Sequence, residues 1–330
     1  MFSRKWNKPI HVLIAREDAM GDVILALPVC GLLKSKYPNC KISFLGRAYT
    51  RAVAMASEHV DEFLDFDEWN QLDEEKIKEF LQRKKIDVVV HLLKVEPALR
   101  LCKAAGIKLR IGAANIMLNW RYCNRLVAMT RKKSRLNEAQ LNCKLLRPLG
   151  ITKIPKRNEI HQYYGFSRLP DLGPNISSLL ANDRFNIIFH PLSNKNAKEW
   201  GLHNFSALLK LLNPDKYRVF ITGSTAEKSV LEDWVKQQGD IVIDLTGKLD
   251  ANQLIAFIAA ADGLIASSTG PVHIAAAAGI QTLGLYENRW VKRGERWGPL
   301  GAKASFLQCV NDNMDTITPE LVYEKINQWH

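Results

Sequence analysis

The stretch IASSTGPVHIAAAAG, residues 265–279, ends an apolar run in two serines and then turns a Thr-Gly-Pro corner into an alanine-rich segment. Thr269 is a residue type favoured at a helix N-cap, and Pro271 suits the first helical position, where its missing N–H costs nothing. Gly270 lets a ligand approach the backbone closely. The stretch therefore predicts a strand, a tight turn and a helix whose free N–H groups form an anion site. His273, in the first helical turn, is either a further donor to that anion or a packed core residue.

Strand-like apolar runs alternate with helical patterns on both sides of this stretch. The predicted strands are residues 11–15, 41–45, 60–66, 87–92, 185–190, 217–222, 240–245, 262–267 and 281–286. Helical patterns such as DVILALPVCGLLKSKY and EEKIKEFLQRKK lie between them. This rhythm predicts an α/β protein with parallel sheets that helices cover on both faces. The Pro- and Gly-containing stretch 163–175 indicates a domain boundary near 165–180, and TPELVYEKINQW predicts a C-terminal helix.

The basic charge of the chain is concentrated in its first half. The net charge of the 330 residues is +12, and residues 1–165 hold 30 Lys and Arg against 17 Asp and Glu. Between Pro97 and Arg157, fifteen basic residues face one acid, Glu138. This segment is either a solvated basic face or a surface for a polyanion, such as anionic lipid head groups, a phosphorylated saccharide or a nucleic acid.

The turn after the first predicted strand holds a carboxylate with two interpretations. In the sequence REDAMGDVILALP, residues 16–28, Gly21 permits a tight turn and Asp22 stands at the start of a helix. Asp22 is either a helix N-cap, which aspartate favours, or a base that takes a proton from an attacking hydroxyl. Ligands of open α/β sheets bind beyond the carboxyl ends of the strands, so this turn is a place to look for site residues, and both interpretations of Asp22 stay open.

Two turns of the second half carry further polar residues after predicted strands. The turn HPLSNKNAKEWGLHNF, residues 190–205, contains Lys195 and Lys198, and either could neutralise a phosphate or be a solvated loop charge. In ITGSTAEKSVLEDW, residues 221–234, Gly223 ends a strand, and Glu227 lies where an acid also favours the helix dipole.

Several classes of protein are disfavoured by the composition and the motifs. The six cysteines lie without CxxC pairs or zinc spacing, so we expect reduced packing residues and no metal site. The apolar run near the N-terminus is too short for a signal peptide or a membrane span, so a cytoplasmic protein is expected. Neither GxGxxG nor GxxxxGK[ST] is present, so neither motif explains the anion site.

The motifs together resemble glycosyltransferase family 9, the lipopolysaccharide heptosyltransferases. The resemblance rests on MGDVILALPVCGLLKSKYP, KEWGLHNFSALLKLL, FITGSTAEKS, STGPVHIAAAAG and RWGPLG in this order. It implies a GT-B fold of two Rossmann-like domains whose parallel sheets face a central cleft: residues 1–170 for the acceptor and 171–330 for the nucleotide-sugar. The C-terminal helix of such a fold can pack back on the N-terminal domain. No cofactor or metal is implied.

The implied reaction is an inverting, metal-independent transfer of a sugar from a nucleotide-sugar, expected to be ADP-heptose. The implied acceptor is the lipid A–Kdo core or a similar anionic glycolipid, which places the protein peripherally on the cytoplasmic face of the inner membrane.

By this resemblance Asp22 is the general base, and Lys198 contacts the ribose or phosphate of the nucleotide. Glu227 matches a ribose-binding carboxylate, and Leu249 an apolar residue under the base. The other matched positions are Ser193, Asn194, Gly223, Ser268, Thr269, Gly270 and His273 for the donor, and Met20, Gly21, Arg121 and Arg125 for the acceptor side.

One position departs from the family. The corner that usually reads Asp-Ser-Gly or Asp-Thr-Gly is Ser268-Thr269-Gly270 here, and in the family the missing Asp lies close to the donor sugar. Pyrophosphate binding is therefore still expected, whereas the donor sugar stays open. The departure keeps a catalytically silent relative as an alternative, and the basic segment keeps a nucleic-acid-binding protein as another, although few aromatic residues accompany it.

Overall fold

The computed structural model describes residues 10–69, 71–131, 134–194 and 197–329. The chain divides into two compact units, Met1–Arg168 and Leu169–His330. Each unit holds one six-stranded sheet in which every strand pair is parallel. The prediction of parallel α/β sheets is confirmed. Lys132, Lys133 and Lys195, which belong to the predicted basic segment and phosphate loop, lie outside the described residues.

The sheet of the first unit has the strand order β3-β2-β1-β4-β5-β6. Its strands are β1 His11–Ala15, β2 Lys41–Gly46, β3 Glu62–Asp65, β4 Val88–His91, β5 Leu109–Ala113 and β6 Arg125–Val127. The central strands β1 and β4 read HVLIA and VVVH, and every one of their residues is buried. Such continuous apolar runs suit a parallel sheet that is covered on both faces. Val12 pairs with Ile42 of β2 on one side and with Val88 of β4 on the other.

Eight α-helices accompany this sheet in the described part of the first unit. They are α1 Met20–Ile24, α2 Leu27–Lys36, α3 Arg51–Met55, α4 Phe66–Trp69, α5 Glu74–Arg83, α6 Glu96–Ala104, α7 Met117–Tyr122 and α8 Glu138–Lys144. The predicted helix DVILALPVCGLLKSKY is two helices, since α1 ends at Ile24 and α2 begins at Leu27 with Pro28 in its first turn. A proline at that position begins a helix more readily than it continues one.

The second unit repeats the arrangement with the strand order β12-β11-β10-β7-β8-β9. Its strands are β7 Phe185–His190, β8 Tyr217–Ile221, β9 Val242–Asp244, β10 Gly263–Ser267, β11 Gln281–Tyr286 and β12 Ala304–Gln308. Its helices are α9 Pro174–Ser177, α10 Leu202–Leu211, α11 Lys228–Gln238, α12 Ala251–Ala260, α13 Gly270–Ala278, α14 Gly294–Trp297 and α15 Pro319–Ile326. Read from β9, the order is the same in both units, and it is the Rossmann order.

The core of the second unit includes the predicted C-terminal helix. Val322 and Ile326 of α15 are fully buried in the cluster that also contains Trp200 and Phe205. The indole N–H of Trp200 donates to the carbonyl of Ile317 at 2.6 Å, and the Trp200 and Phe205 rings meet edge to face. These contacts hold the loop after β7 against the segment that precedes α15.

Candidate active site

Strand order identifies where a ligand binds in each unit. In a doubly wound sheet, ligands bind beyond the carboxyl ends of the two strands at which the order reverses. These strands are β1 and β4 in the first unit, and β7 and β10 in the second. The turns and helix starts that follow them contain Asp22, Ser193, Asn194, Lys198, Thr269 and Gly270. The sequence predictions therefore converge on the two edges where the fold favours binding.

Asp22 is the third residue of the short helix α1, and the N-cap of that helix is Ala19. The interpretation of Asp22 as a helix N-cap is therefore wrong. Its carboxylate instead forms a short ion pair with the guanidinium of Arg16, the first residue after β1. The Asp22 side chain keeps 22% of its surface exposed, whereas that of Arg16 keeps 4%. A partly open carboxylate is thus fixed by a buried cation.

Arg16 joins three carboxylates and a backbone carbonyl at the switch point. Its Nε donates to Asp18 at 2.8 Å, one NH group lies 3.8 Å from Glu138, and another lies next to Asp22. The carbonyl of Leu92, just after β4, accepts a further bond at 3.4 Å. Burial alone disfavours the charged guanidinium, but the three carboxylates outweigh it and raise the pKa of Arg16. Arg16 therefore stays charged and cross-links the turns after β1 and β4.

A second arginine supports this network from the basic segment. Arg131 Nε donates to Glu138 at 2.8 Å, and its NH2 group donates to the carbonyl of Leu92 at 3.0 Å. Glu138 is 1% exposed, so the single acid of the segment 97–157 is an internal partner of two arginines. Sequence reasoning missed the roles of Arg16 and Glu138. The one available signal was an isolated acid within a strongly basic stretch.

Burial perturbs the other ionisable groups of this edge. It raises the pKa of Glu17 to about 8, and neither carboxyl oxygen of Glu17 has a hydrogen-bond partner among the described residues. It also raises the pKa of Asp18 to about 6, against the opposing effect of Arg16. His91, the last residue of β4, has its pKa lowered to about 3 by burial and then by Arg110. Groups with shifted pKa values concentrate at functional sites, although structural ion networks shift them too.

The four remaining acceptor-side positions lie in two places, near the carboxyl end of β1 and around the outer strand β6. Met20 and Gly21 begin α1 and are half-buried. Arg121 and Arg125 are exposed on α7 and β6, and β6 is the edge strand. The strands β4 and β5 separate β6 from β1. The structure thus brings Met20 and Gly21 next to Asp22, whereas Arg121 lies on α7, which follows β5, and Arg125 lies at the amino end of β6.

The opening stretch of the sequence forms the predicted strand, corner and helix in the second unit. Strand β10 ends at Ser267, Thr269 occupies the N-cap position, and α13 runs from Gly270 to Ala278. The Thr269 side chain, however, makes no capping hydrogen bond. The first N–H groups of the helix and the positive end of its dipole therefore lie at the carboxyl edge of β10.

Three buried polar atoms around this helix start lack a partner within the described residues. They are Ser267 Oγ, Thr269 Oγ1 and His273 Nδ1. His273 is 4% exposed, and burial lowers its pKa to about 4, so the ring is neutral near pH 7. A neutral imidazole can present either a donor or an acceptor at Nδ1. Buried polar atoms without partners are rare in folded proteins and indicate room for a ligand or water.

The loop after β7 is held by two buried or partly buried carboxylates. The backbone N–H and hydroxyl of Ser193 both donate to Glu199, at 2.7 and 3.0 Å. Asn194, at φ 48°, donates its N–H to Glu227 at 3.0 Å. Glu227 also accepts from the N–H and the hydroxyl of Ser224, at 2.7 and 2.9 Å. Glu227 thus links the loops after β7 and β8. This role is in addition to the favourable effect of an acid on the dipole of the following helix.

Lys198 is engaged by a residue that sequence reasoning missed. Its ammonium donates to the carboxylate of Asp312 at 2.6 Å and to the Asp312 carbonyl at 2.7 Å. Arg289 lies 3.9 Å from the same carboxylate and pairs closely with buried Glu287, which follows β11. Lys198 keeps 40% of its side chain exposed. To neutralise a phosphate, Lys198 would exchange the Asp312 carboxylate for the ligand.

The other donor-side positions occupy the turns around β8 and β9. A Cβ added at Gly223 would lie 3.1 Å from Leu231 and 3.2 Å from Thr246, so the turn after β8 is closely packed. Leu249 is half-buried immediately before Asp250, the N-cap of α12. Ser268 is half-buried between β10 and Thr269.

Within the described residues, no group of three or more His, Cys, Asp or Glu side chains is placed to hold a metal ion. No helix in this part of the chain is long and apolar enough to cross a membrane. All six cysteines are free and buried, as expected of packing residues.

Comparison with known proteins agrees with the fold and the motifs. The family model of glycosyltransferase family 9 (heptosyltransferase) matches residues 78–327. Lipopolysaccharide heptosyltransferase 3 of Escherichia coli is 26% identical over 282 residues, which cover 81% of this chain and 80% of that protein.

Solved structures of heptosyltransferases resemble this chain over most of its length. E. coli ADP-heptose lps heptosyltransferase II superposes with a TM-score of 0.78 at 19% identity, covering 97% of this chain and 98% of that one. E. coli heptosyltransferase WaaC with ADP gives 0.76 at 17% identity, covering 97% and 100%. These similarities confirm the predicted GT-B class of fold. The match over most of the chain shows that the protein belongs to glycosyltransferase family 9 and is a transferase.

Proposed function

We propose that the protein transfers a heptose from ADP-heptose, or a sugar from a related nucleotide-sugar, to a lipopolysaccharide core or similar anionic glycolipid. The transfer inverts the anomeric carbon and needs no metal ion. In this proposal residues 1–170 bind the acceptor and residues 171–330 bind the nucleotide-sugar. The protein works at the cytoplasmic face of the inner membrane, where it contacts its lipid-linked acceptor.

The start of α13 is the observation that carries this proposal. It combines free backbone N–H groups, a positive dipole end and the unpartnered atoms Ser267 Oγ, Thr269 Oγ1 and His273 Nδ1. This set suits the oxygens of a diphosphate, and it can stabilise the charge that builds on the leaving nucleotide. Lys198 adds a positive charge once it leaves Asp312. E. coli WaaC was solved with ADP, which agrees with a nucleotide diphosphate as part of the donor.

Asp22 is the proposed general base. Its carboxylate removes the proton of an acceptor hydroxyl while that oxygen attacks the anomeric carbon, and the bond from that carbon to the nucleotide diphosphate breaks. Arg16 pairs with Oδ1 of this carboxylate, and the side chain stays 22% exposed, so the carboxylate keeps acceptor capacity for the hydroxyl proton. Glu227 is proposed to bind the ribose through its remaining acceptor capacity, and Leu249 to pack under the base.

The donor sugar is the part of the proposal that Ser268 affects. A serine carries no charge and can donate or accept a hydrogen bond, whereas the usual aspartate only accepts when ionised. We therefore include other nucleotide-sugars among the donors. A catalytically silent relative is a second candidate, because Ser193 and Lys198 are both occupied by carboxylates within their own unit.

The experiment is transfer onto a heptose-deficient core, measured by mass spectrometry of the acceptor with a panel of ADP- and UDP-sugars. Wild-type protein is expected to add one sugar. Asp22→Asn should lose about a hundredfold or more in turnover, while donor affinity measured by calorimetry changes little. Asp73→Asn, at a side chain that is 82% exposed in the same unit, is the matched control. Binding of a nucleotide-sugar without any transfer would favour the silent relative.

A further inference from the structure

Helix α7 presents its large apolar side chains to solvent. Met117 is 89% exposed and Trp120 is 67% exposed, whereas Asn119 between them is 1% exposed. A helix on a globular core normally buries its apolar face and exposes its amides. Here the amide of Asn119 faces inward, and its Nδ2 donates to the carbonyl of Ala113 at 2.9 Å. The normal distribution is therefore inverted at Met117 and Trp120.

Local packing accounts for the fixed orientation of this surface. Tyr122 is buried beside Leu99 and Cys123, and Leu118 packs partly against that cluster. The carbonyl of Arg121, near the end of α7, accepts a bond from Lys103 Nζ at 2.9 Å, which ties α7 to α6. Met117 and Trp120 lie one helical turn apart, so they project from the same side of α7. We name Met117 and Trp120, with half-buried Ile116 beside them, the α7 patch.

The indole of Trp120 has no polar atom left to satisfy. Its N–H donates to the carbonyl of Ala114 at 2.8 Å. Moving the ring into an apolar medium therefore breaks no hydrogen bond of that N–H, and a lost bond is the main cost of burying an indole. Met117 adds only a thioether and methylenes. The α7 patch can thus leave water for hydrocarbon with little opposing cost.

Basic side chains accompany the α7 patch. Lys103, Lys108, Arg121 and Arg125 are exposed on α6, the turn after it, α7 and β6. Lys103 and Arg121 both lie within 6 Å of the centre of the Tyr122 ring, at the end of α7. Glu96, the first residue of α6, accepts a bond from the Tyr122 hydroxyl at 3.1 Å. Exposed apolar side chains with basic side chains on the same and adjacent elements are complementary to an anionic lipid surface, where Trp favours the interface.

The α7 patch also lies at the edge of the sheet where the proposed base is found. It follows the carboxyl end of β5, and Asp22 follows that of β1. Only β4 lies between these two parallel strands, so their ends are about 10 Å apart. A membrane contact at α7 would therefore bring this edge of the first unit toward a lipid-linked acceptor.

We infer that Met117 and Trp120 insert into the anionic membrane that carries the acceptor, and that the basic residues around them hold the lipid head groups. The identity of that membrane rests on the proposed function. Binding of the α7 patch to lipid does not.

The test measures binding of the full chain to vesicles of phosphatidylethanolamine with 25% phosphatidylglycerol by sedimentation, and compares it with pure phosphatidylcholine vesicles. The probe composition is chosen for its charge, about one lipid in four being anionic. Met117→Ser/Trp120→Ser should weaken binding to the anionic vesicles at least about tenfold. The matched control Val230→Ser/Ile241→Ser removes two side chains of the second unit that are each 59% exposed, and it should bind as wild type does.

Insertion is read directly from tryptophan quenching by lipids brominated on the acyl chain. The quenched fraction should fall in Trp120→Phe and persist in Trp290→Phe, which removes another exposed tryptophan. Binding that the double serine variant leaves unchanged, or equal quenching in the two phenylalanine variants, would overturn the inference. So would a dimer in vesicle-free buffer that the double variant abolishes, because the α7 patch would then be an interface between two copies.

Calorimetric titration with ADP separates this inference from the proposed function. The double serine variant should bind ADP as wild type does, because α7 belongs to the other unit. A wild type that binds vesicles through the α7 patch but binds neither ADP nor any nucleotide-sugar of the panel would refute the proposed function and leave the lipid contact intact. A wild type that binds ADP but not anionic vesicles would refute the lipid contact alone.

Discussion

The ion pair of Arg16 and Asp22 gives the sharpest prediction about catalysis. Arg16→Lys keeps one positive charge but replaces a planar fork that reaches Asp18, Asp22 and Glu138 with a single ammonium. An ammonium cannot satisfy the three carboxylates in the same geometry. We therefore expect Asp22 to lose its fixed orientation, while the buried cluster keeps its overall charge.

The expected losses of stability and of turnover follow from the contacts that Arg16 makes. Complete loss of a buried cation, in Arg16→Met, should lower the free energy of unfolding by about 3–5 kcal/mol, since it leaves carboxylates without their partner. For Arg16→Lys we expect a smaller loss of stability. Turnover should fall about ten- to a hundredfold, the scale of a misplaced catalytic group.

The assay is a kinetic double-mutant cycle with Asp22→Asn. If Arg16 acts on turnover through the Asp22 carboxylate, Arg16→Lys should slow the Asp22→Asn protein by no more than about threefold, because the group that it orients is already gone. Arg100→Lys is the control, since Arg100 pairs with Glu74 on the exposed surface of the same unit. Losses that multiply fully in the double variant would refute the positioning role of Arg16.

Three further outcomes follow from the structure. The pKa of Glu17 is about 8 in the folded protein and ordinarily 4.5, so the folded protein keeps this proton to a higher pH than the unfolded chain does. As the pH rises from 5 to 8, the free energy of unfolding measured with urea should therefore fall by about 3 kcal/mol more in wild type than in Glu17→Gln. Equal pH dependence of the two proteins would contradict this. Arg131→Glu should destabilise the first unit by about 3–5 kcal/mol in thermal or urea unfolding, since it sets a second acid against buried Glu138; a normal midpoint would argue against their ion pair. In competition binding, Ser268→Asp should shift preference toward ADP-heptose by about ten- to a hundredfold, the worth of one charged hydrogen bond, and an unchanged ratio would make the serine neutral.

Most of the fold could be predicted because its strands are dense apolar runs. Strands β1, β7 and β11 occur at the predicted residues, and β2 extends the prediction by one residue to Gly46. The strands β5, β6 and β12 were missed. Their sequences LRIGA, RLV and ASFLQ are short or contain polar and half-exposed residues, so the period of two is weak there.

The candidate site was predictable only where one local segment builds it. The corner at Thr269 and the helix after it follow from neighbouring residues, since caps and first-turn prolines act locally. The Arg16–Glu138 and Lys198–Asp312 contacts join residues that are far apart in the chain, and no local pattern indicates them. Arg131 illustrates the same limit, because its sequence neighbours suggest a basic surface while its side chain is an internal partner of Glu138.

Whether the transfer is inverting and metal-independent can be read from the anomeric configuration of the product. The measurement is nuclear magnetic resonance of the glycosidic linkage formed by wild-type protein from ADP-heptose and a heptose-deficient core, in excess chelator. A single displacement assisted by Asp22 predicts that the linkage forms under these conditions with the configuration opposite to that of the donor. A retained configuration would rule out a single displacement, and transfer that stops until a divalent ion is returned would rule out a metal-independent reaction.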